Sequence, residues 1–275
     1  MGTHHCYYQP MVKEAPEPLA DPWDELLDFT AFAVKKTGLL SPETILTVDE
    51  YTLHAAFYKA SASRLFLLVA LSKLELALFR KYEKTYAGTT MAFMQPGMKR
   101  PLRIFARCTI VRIAELTQRD GFSVIETEIK PIPDDYGRIL EEYRALLACL
   151  KEDYERCANP STRVTPEFSK LLGFNNFAEL HAYGSKFELA VYSIASNHLE
   201  FLIKAAPPDI VPGNSSSIRL FFQMHQFFVQ GRVTKAEQVS PGVVRAEMDL
   251  DFSPELMDIF ARYRERTRLL VPGQH

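Results

Sequence analysis

The sequence predicts a mainly β protein made of two similar units, each a small barrel or sandwich followed by a helix. Three observations support this fold class. The chain contains an internal repeat, β-branched and aromatic residues recur in short runs at intervals of roughly 8–12 residues, and an amphipathic segment follows each set of runs. The length of 275 residues agrees with two units, since a domain commonly holds about 150 residues.

The internal repeat is the strongest of these signals. Residues 56–68 align with residues 190–202, and both stretches read as a strand, a small polar turn and a second strand. Three further segments match in the same order: those beginning at Ile113, Val124 and Ile139 match those at Lys235, Val243 and Ile259. The shared order of four segments indicates that one ancestral unit was duplicated.

The pattern also predicts where the elements lie. The predicted strands of the first half are 52–58, 65–69, 89–95, 102–116 and 123–129, and those of the second half are 187–192, 199–204, 217–224, 226–239 and 242–252. The predicted helices are a lead helix at 22–36, an inserted amphipathic helix near 73–84, and the helices 134–157 and 254–269. The predicted organisation is an extension at 1–40, a first barrel at 41–157, a linker at 158–185 and a second barrel at 186–275.

Composition and charge limit the classes of function that the protein can have. The formal net charge of -2 provides no global attraction to nucleic acid or to an anionic membrane. The longest apolar run, 65–71, is far shorter than the roughly 18 residues that span a bilayer, and the N-terminus lacks a signal-peptide pattern. Four cysteines without an export signal are typical of reduced thiols, so a cytoplasmic protein is expected.

Three motifs of the second half resemble the PilZ domain, a small bacterial barrel with a C-terminal helix that commonly senses cyclic di-GMP. Residues 193–199 stand where that family has its D/N-x-S-x-x-G turn, 229–235 resemble its i-x-G-x-V-x-r strand, and 244–253 resemble its closing strand. The first half is similar to the degenerate PilZ-like domain that precedes a PilZ domain in some signalling proteins. The resemblance implies two antiparallel barrels of split-barrel type and a non-catalytic signalling or adaptor protein.

The ligand signature of the family is incomplete here. The family grips its dinucleotide with an R-x-x-x-R pair upstream of the first strand, where guanidinium groups bind phosphate and stack on guanine. This sequence has Arg156 and Arg163, seven residues apart, and the turn has Ser193 where an Asp or Asn is expected. The candidate ligand residues for cyclic di-GMP are Arg156, Arg163, Ser193, Ser196 and Asn197. We expect function to depend mainly on protein contacts, through the helices 134–157 and 254–269.

An alternative anion-binding patch consists of Arg103, Phe105 and Arg107, which a strand would place on one face. Together with the other basic residues of 99–112 this segment suggests nucleic-acid binding, because basic and aromatic residues on one sheet face form a stacking platform. No metal-ligand spacing, catalytic triad or phosphate-binding loop is recognisable in the sequence. The sequence therefore predicts neither an enzyme nor a metal protein.

Overall fold

The computed structural model describes residues 24–116, 119–156, 161–182, 185–204, 206–207, 210–223 and 225–270. The chain divides into two compact units, Met1–Leu140 and Glu141–His275. The predicted fold class is confirmed, because each unit contains an antiparallel sheet that closes into a six-stranded barrel and a helix follows each barrel.

The first unit holds seven strands among its described residues. They are β1 (Leu27–Asp28), β2 (Ile45–Val48), β3 (Tyr51–Ala60), β4 (Arg64–Ala70), β5 (Tyr86–Phe93), β6 (Leu102–Glu115) and β7 (Phe122–Ile129). The barrel order is β3-β2-β5-β6-β7-β4, and pairing between β4 and β3 closes it. The short strand β1 pairs with the last residues of β3, beyond the part of β3 that pairs with β2.

The helices of the first unit are α1 (Ala31–Thr37), α2 (Lys73–Phe79) and the first turns of α3 (Asp134–Glu155). The rest of α3 belongs to the second unit. The predicted inserted helix is confirmed as α2, which begins with a capping box between Ser72 and Glu75.

The second unit repeats this arrangement. Its elements are β8 (Thr162–Arg163), α4 (Pro166–Leu172), β9 (Phe174–Ala182), β10 (Ser185–Ile194), β11 (His198–Lys204), β12 (Ser215–Phe222), β13 (His225–Ser240), β14 (Val243–Leu250) and α5 (Pro254–Leu270). The barrel order is β10-β9-β12-β13-β14-β11, with β11 closing on β10 and the short β8 added to β10. Both barrels therefore have the same strand order, as the internal repeat predicts.

Two β-bulges recur at matching places in the two barrels. Tyr58 is the extra residue of β3 opposite β4, and Tyr192 is the extra residue of β10 opposite β11. Val111 in β6 and Thr234 in β13 are extra residues opposite the strands that follow them. Since a bulge redirects side chains and bends its strand, the shared bulges give both barrels the same local distortions.

The lead segment differs from the predicted helix at 22–36. Residues 22 and 23 lie outside the described residues, and the helix in this region is α1, which begins only at Ala31. Its start is fixed by Thr30, whose hydroxyl accepts a hydrogen bond from the backbone N–H of Ala33 at 3.4 Å. Upstream of this cap the chain is extended and pairs with β3, so Leu27 is buried as part of a strand.

The predicted linker at 158–185 also differs from the structure. Residues 158–160 and 183–184 lie outside the described residues, and most of the remainder forms β8, α4 and β9. Helix α4 starts because the Thr165 hydroxyl accepts from the N–H of Phe168 at 3.2 Å and Pro166 occupies the first turn. Strand β9 belongs to the barrel, since Ala178 and Leu180 are fully buried in its core.

Candidate functional site

An outward-facing group on the second barrel includes residues that the sequence analysis selected. Strand β8 pairs with the end of β10, so Arg163 lies opposite Ser193. The bulge leaves Tyr192 exposed over 37% of its surface, and the guanidinium carbon of Arg163 lies 5.0 Å from the centre of the Tyr192 ring. Two members of the predicted ligand set, Arg163 and Ser193, are therefore neighbours in the structure.

A second guanidinium reaches the same ring from β14. The guanidinium carbon of Arg245 lies 5.1 Å from the centre of the Tyr192 ring. Its Nε and Nη2 donate to Oε1 of Glu200, a carboxylate that β11 presents with only 12% of its side chain exposed. Hydrogen bonding to Glu200, followed by its negative charge, raises the pKa of Arg245. Arg163, Tyr192, Ser193, Glu200 and Arg245 are called the Tyr192 cluster below.

Hydroxyl groups complete the polar contacts of the cluster. The Ser161 hydroxyl donates to Ser193 Oγ at 3.1 Å, and the Ser193 hydroxyl donates to Glu200 Oε2 at 3.0 Å. Glu200 is therefore bound on both oxygens by groups of the protein. Within the described ranges no carboxylate lies at ion-pair distance from Arg163, so its charge is available to a ligand.

The cluster has the chemistry of a binding site for an anionic, planar ligand. A guanidinium donates to phosphate oxygens in a fork and also stacks on aromatic rings. Contact with the Tyr192 ring holds both guanidinium groups at the surface, because a cation over an aromatic face is attracted by its quadrupole.

The other residues of the predicted ligand set lie elsewhere. Ser196 is fully buried in the tight turn between β10 and β11, and the carbonyl of Asn197 accepts from the N–H of Leu250 at 2.9 Å. Arg156 follows α3 and forms an ion pair with Glu152 at 2.7 Å. Among the described contacts, none joins Arg156 to the Tyr192 cluster.

Sequence reasoning missed Tyr192, Glu200 and Arg245. A signal for Tyr192 was present, because the repeat aligns it with Tyr58, the exposed bulge residue of the first barrel. Arg245 lies within the closing strand that the PilZ resemblance identified, but its approach to β10 depends on the closure of the barrel and cannot be read from spacing.

The alternative patch on β6 is present, but its charges are partly compensated. Arg103, Phe105 and Arg107 are all exposed on one face, as predicted. However, Arg103 pairs with Glu43 at 2.9 Å. The Phe105 ring covers Gly88 so closely that a Cβ there would lie 2.6 Å from the ring. This patch therefore resembles a solvated strand face more than a cationic platform.

The described residues contain neither a metal-ligand cluster nor a membrane-spanning helix. In the part of the chain that the structure describes, no group of three or more His, Cys, Asp or Glu side chains is arranged to hold a metal ion. None of the described helices combines the length and apolar character required to cross a bilayer.

Comparison with known proteins returned structures but no sequence family. No protein-family profile matches the chain, and no curated protein matches it. Similar solved structures include PlzA of Borreliella burgdorferi in complex with c-di-GMP (TM-score 0.40, 11% identity, 87% of this chain and 93% of that chain). Two others are the inhibitor of motility MotI of Bacillus subtilis (0.31, 10%, 85% and 99%) and YcgR of Escherichia coli in complex with c-di-GMP (0.28, 11%, 86% and 88%). These structures are of PilZ-domain proteins, the family that the sequence resembles.

Proposed function

We propose that the chain is a non-catalytic signalling protein of the PilZ type whose second barrel binds a nucleotide anion at the Tyr192 cluster. Cyclic di-GMP is the ligand that the sequence resemblance implies. The observation that carries the proposal is the convergence of two guanidinium groups, from β8 and β14, on one exposed tyrosine ring.

The two guanidinium groups have different roles in this proposal. Glu200 holds Arg245 in place and offsets its charge, so Arg245 provides a fixed planar surface against Tyr192. Arg163 lies on a strand of only two residues and has no carboxylate partner among the described residues. It therefore supplies the unbalanced positive charge for a phosphate group.

The same arrangement explains how the site can function without the R-x-x-x-R pair. Arg245 comes from β14, whereas the family takes both arginines from the segment before its first strand. We infer that the pair of guanidinium groups is here assembled from two strands: Arg163 precedes Tyr192 in the sequence and Arg245 follows it.

Isothermal titration calorimetry of the full chain with cyclic di-GMP tests the proposal. We expect binding by the wild type and at least a tenfold loss of affinity in Arg163→Ala, since a hydrogen bond to a charged group contributes about 1.5–3 kcal/mol. Tyr192→Ala should weaken binding as well, because both guanidinium groups lose their stacking surface.

Arg156→Ala is the matched control, because Arg156 is an exposed arginine seven residues away that pairs with Glu152. It should bind like the wild type. Absence of heat at near-millimolar cyclic di-GMP would reject the nucleotide role and leave protein contacts as the function. An equal loss in Arg156→Ala and Arg163→Ala would show a general charge effect instead of a site.

The downstream output of the protein is proposed to be contact with a protein partner through α3 and α5. Helix α3 presents Ala145, Ala148 and Cys149 as exposed small residues. On α5, in contrast, Arg264 pairs with Asp153 at 2.8 Å and Arg266 donates to the carbonyl of Leu171 at 3.2 Å. Since these arginines already hold the second unit together, the exposed side of α3 is the better candidate surface. Light scattering of wild type and Ala148→Arg, with and without cyclic di-GMP, checks for self-association through α3; identical masses throughout would exclude it.

A further inference from the structure

The turn between β3 and β4 of the first barrel carries an unusual group of hydrogen-bond donors. The hydroxyls of Ser61 and Ser63 both donate to Oδ1 of Asp24, the former at 2.8 Å. The Nη2 of Arg64 donates to Oδ2 of Asp24 at 3.4 Å. Three donors from four consecutive residues therefore surround one carboxylate that comes from the segment before β1.

Hydrogen bonds to the backbone fix the turn and the direction of the Ser61 donor. The N–H of Arg64 donates to Ser61 Oγ at 3.0 Å, so the hydroxyl hydrogen of Ser61 must point away from the turn. The carbonyl of Ser61 accepts from the buried hydroxyl of Tyr136 at 2.8 Å, and the carbonyl of Ser63 accepts from the N–H of Ile129 at 2.7 Å. The turn is thus fixed by its neighbours with its donors already aligned, which is the property of a preorganised anion site.

The Asp24 carboxylate does not accept hydrogen bonds from all the donors of the turn. The Nε of Arg64 is buried and has no hydrogen-bond partner, and the contact from Nη2 is long. A phosphate group has more acceptor oxygens than a carboxylate and matches the guanidinium fork. It could therefore accept from both hydroxyls and from Arg64 together.

Asp24 is also placed so that it can leave. Its side chain is 40% exposed and that of Arg64 is 38% exposed. The strand that follows Asp24 has only two residues, so few backbone hydrogen bonds hold it against β3.

We propose that the Ser61–Arg64 turn is a second anion-binding site, specific for a phosphate group, and that the Asp24 carboxylate occupies it as an internal competitor. This site is separate from the Tyr192 cluster. In the second barrel the matching turn has Ala195, Asn197 and His198 in place of Ser61, Ser63 and Arg64, so the two hydroxyls and the guanidinium are not repeated there. A tethered carboxylate acts at high effective concentration, and an external phosphate therefore binds only where Asp24 is displaced.

The test uses inorganic phosphate as the probe and full-length Arg163→Ala as the background, which removes the proposed site of the second barrel. Calorimetry and thermal unfolding are compared at constant ionic strength, with chloride in place of phosphate as the reference. We expect Asp24→Ala to bind phosphate at least about tenfold more tightly than the background. Adding Arg64→Ala should abolish this gain.

Asp28→Ala is the matched control, because it removes an acidic charge four residues away that pairs with Lys59 and not with the turn. It should bind phosphate no better than the background. Asp24→Asn, which keeps an acceptor for the serine hydroxyls, provides a milder variant if Asp24→Ala unfolds, and the same direction of change is expected.

No gain in either Asp24 variant, or an equal gain in Asp28→Ala, would overturn the proposal. Repeating the titration with cyclic di-GMP shows whether the phosphate group that binds belongs to a phosphodiester or to a free anion. Binding of both ligands by the Asp24→Ala variant would indicate a phosphodiester ligand, whereas binding of phosphate alone would indicate a free anion. Because the background lacks Arg163, failure at this turn leaves the Tyr192 cluster unaffected.

Discussion

The two barrels share their strand order and bulges but differ at one outer edge. Both have the same strand order and the same two bulges, and an exposed tyrosine occupies the first bulge in each. At the edge, Asp28 of β1 lies opposite Lys59, whereas Arg163 of β8 lies opposite Ser193. The sign of the charge on the short added strand is therefore reversed between the barrels.

This difference distinguishes the residues that determine the fold from those that are available for binding. The strand order and the two bulges determine the closure of the barrel, so both units retain them. The outer edge has diverged, with an ion pair between Asp28 and Lys59 at 3.0 Å in the first barrel and, in the second, a guanidinium that contacts the Tyr192 ring and has no carboxylate partner among the described residues.

The largest effect is expected at a buried position where the two barrels differ. Gly231 of β13 occupies the position that Cys108 occupies in β6. A Cβ at Gly231 would lie 2.3 Å from the backbone oxygen of Asp249, and backbone cannot move away cheaply. Gly231→Ala should destabilise the second unit by roughly 2–4 kcal/mol, measured by urea unfolding. Gly88→Ala is the comparison, since its Cβ would meet only the movable Phe105 ring; equal losses would contradict the argument.

The next effect concerns two tyrosine hydroxyls on α3, one for each unit. Tyr136 is fully buried and donates to the Ser61 carbonyl at 2.8 Å, and Tyr154 donates to the Leu250 carbonyl at 2.6 Å. Tyr136→Phe should lower the free energy of unfolding by about 1–1.5 kcal/mol, because the buried carbonyl of Ser61 loses its hydrogen-bond donor. Tyr154→Phe should cost less, since Tyr154 is partly exposed and water can replace the hydroxyl. A larger loss in Tyr154→Phe would show that burial does not determine the difference.

The sequence predicted the repeated barrel because its evidence is local. Runs such as 64–70 alternate between buried and half-exposed positions, and the turn at 61–63 falls at the same place in both halves. Strands β2 and β9, in contrast, were missed, and they are the same strand of the two barrels. β2 has four residues, and β9 contains Asn175 and Asn176, which are typical of turns. Each pairs with the strand that follows it and also with a strand about 40 residues further on, β5 or β12, and this second pairing cannot be read from local sequence.

The candidate site was predictable only in part for the same reason. Arg163 and Ser193 were selected because each lies near a motif along the chain. Glu200 lies opposite Ser193 in the β10–β11 hairpin, whereas Arg245 reaches Tyr192 from β14, which pairs with β11 and is distant in the sequence. The contact of Asp24 with Ser61 spans 37 residues and has no spacing pattern that a sequence could show.

A smaller effect tests Cys108, the residue that fills the position of Gly231 in the first barrel. Burial raises the pKa of the Cys108 thiol above its ordinary value of 9.0. The buried, protonated thiol therefore contributes fully to the free energy of unfolding below pH 9, and this contribution is lost as the pH rises through the pKa of Cys108 in the folded protein. Wild type should lose more stability between pH 8 and pH 10 than Cys108→Ala, measured by urea unfolding. Mass mapping after brief alkylation should find the exposed Cys149 modified and Cys108 protected; the reverse would contradict the burial argument.

The smallest effect tests the edge at which the two barrels differ. Asp28 and Lys59 form an ion pair at 3.0 Å, and their side chains are 66% and 37% exposed. An exposed ion pair contributes little because water screens it and its side chains lose freedom. Asp28→Ala should therefore change the free energy of unfolding by about 0.5 kcal/mol or less, in a double-mutant cycle with Lys59→Ala measured at low and high salt. A coupling above about 1 kcal/mol would show that the pair anchors β1, and the outer edge would then have been retained for folding in the first barrel.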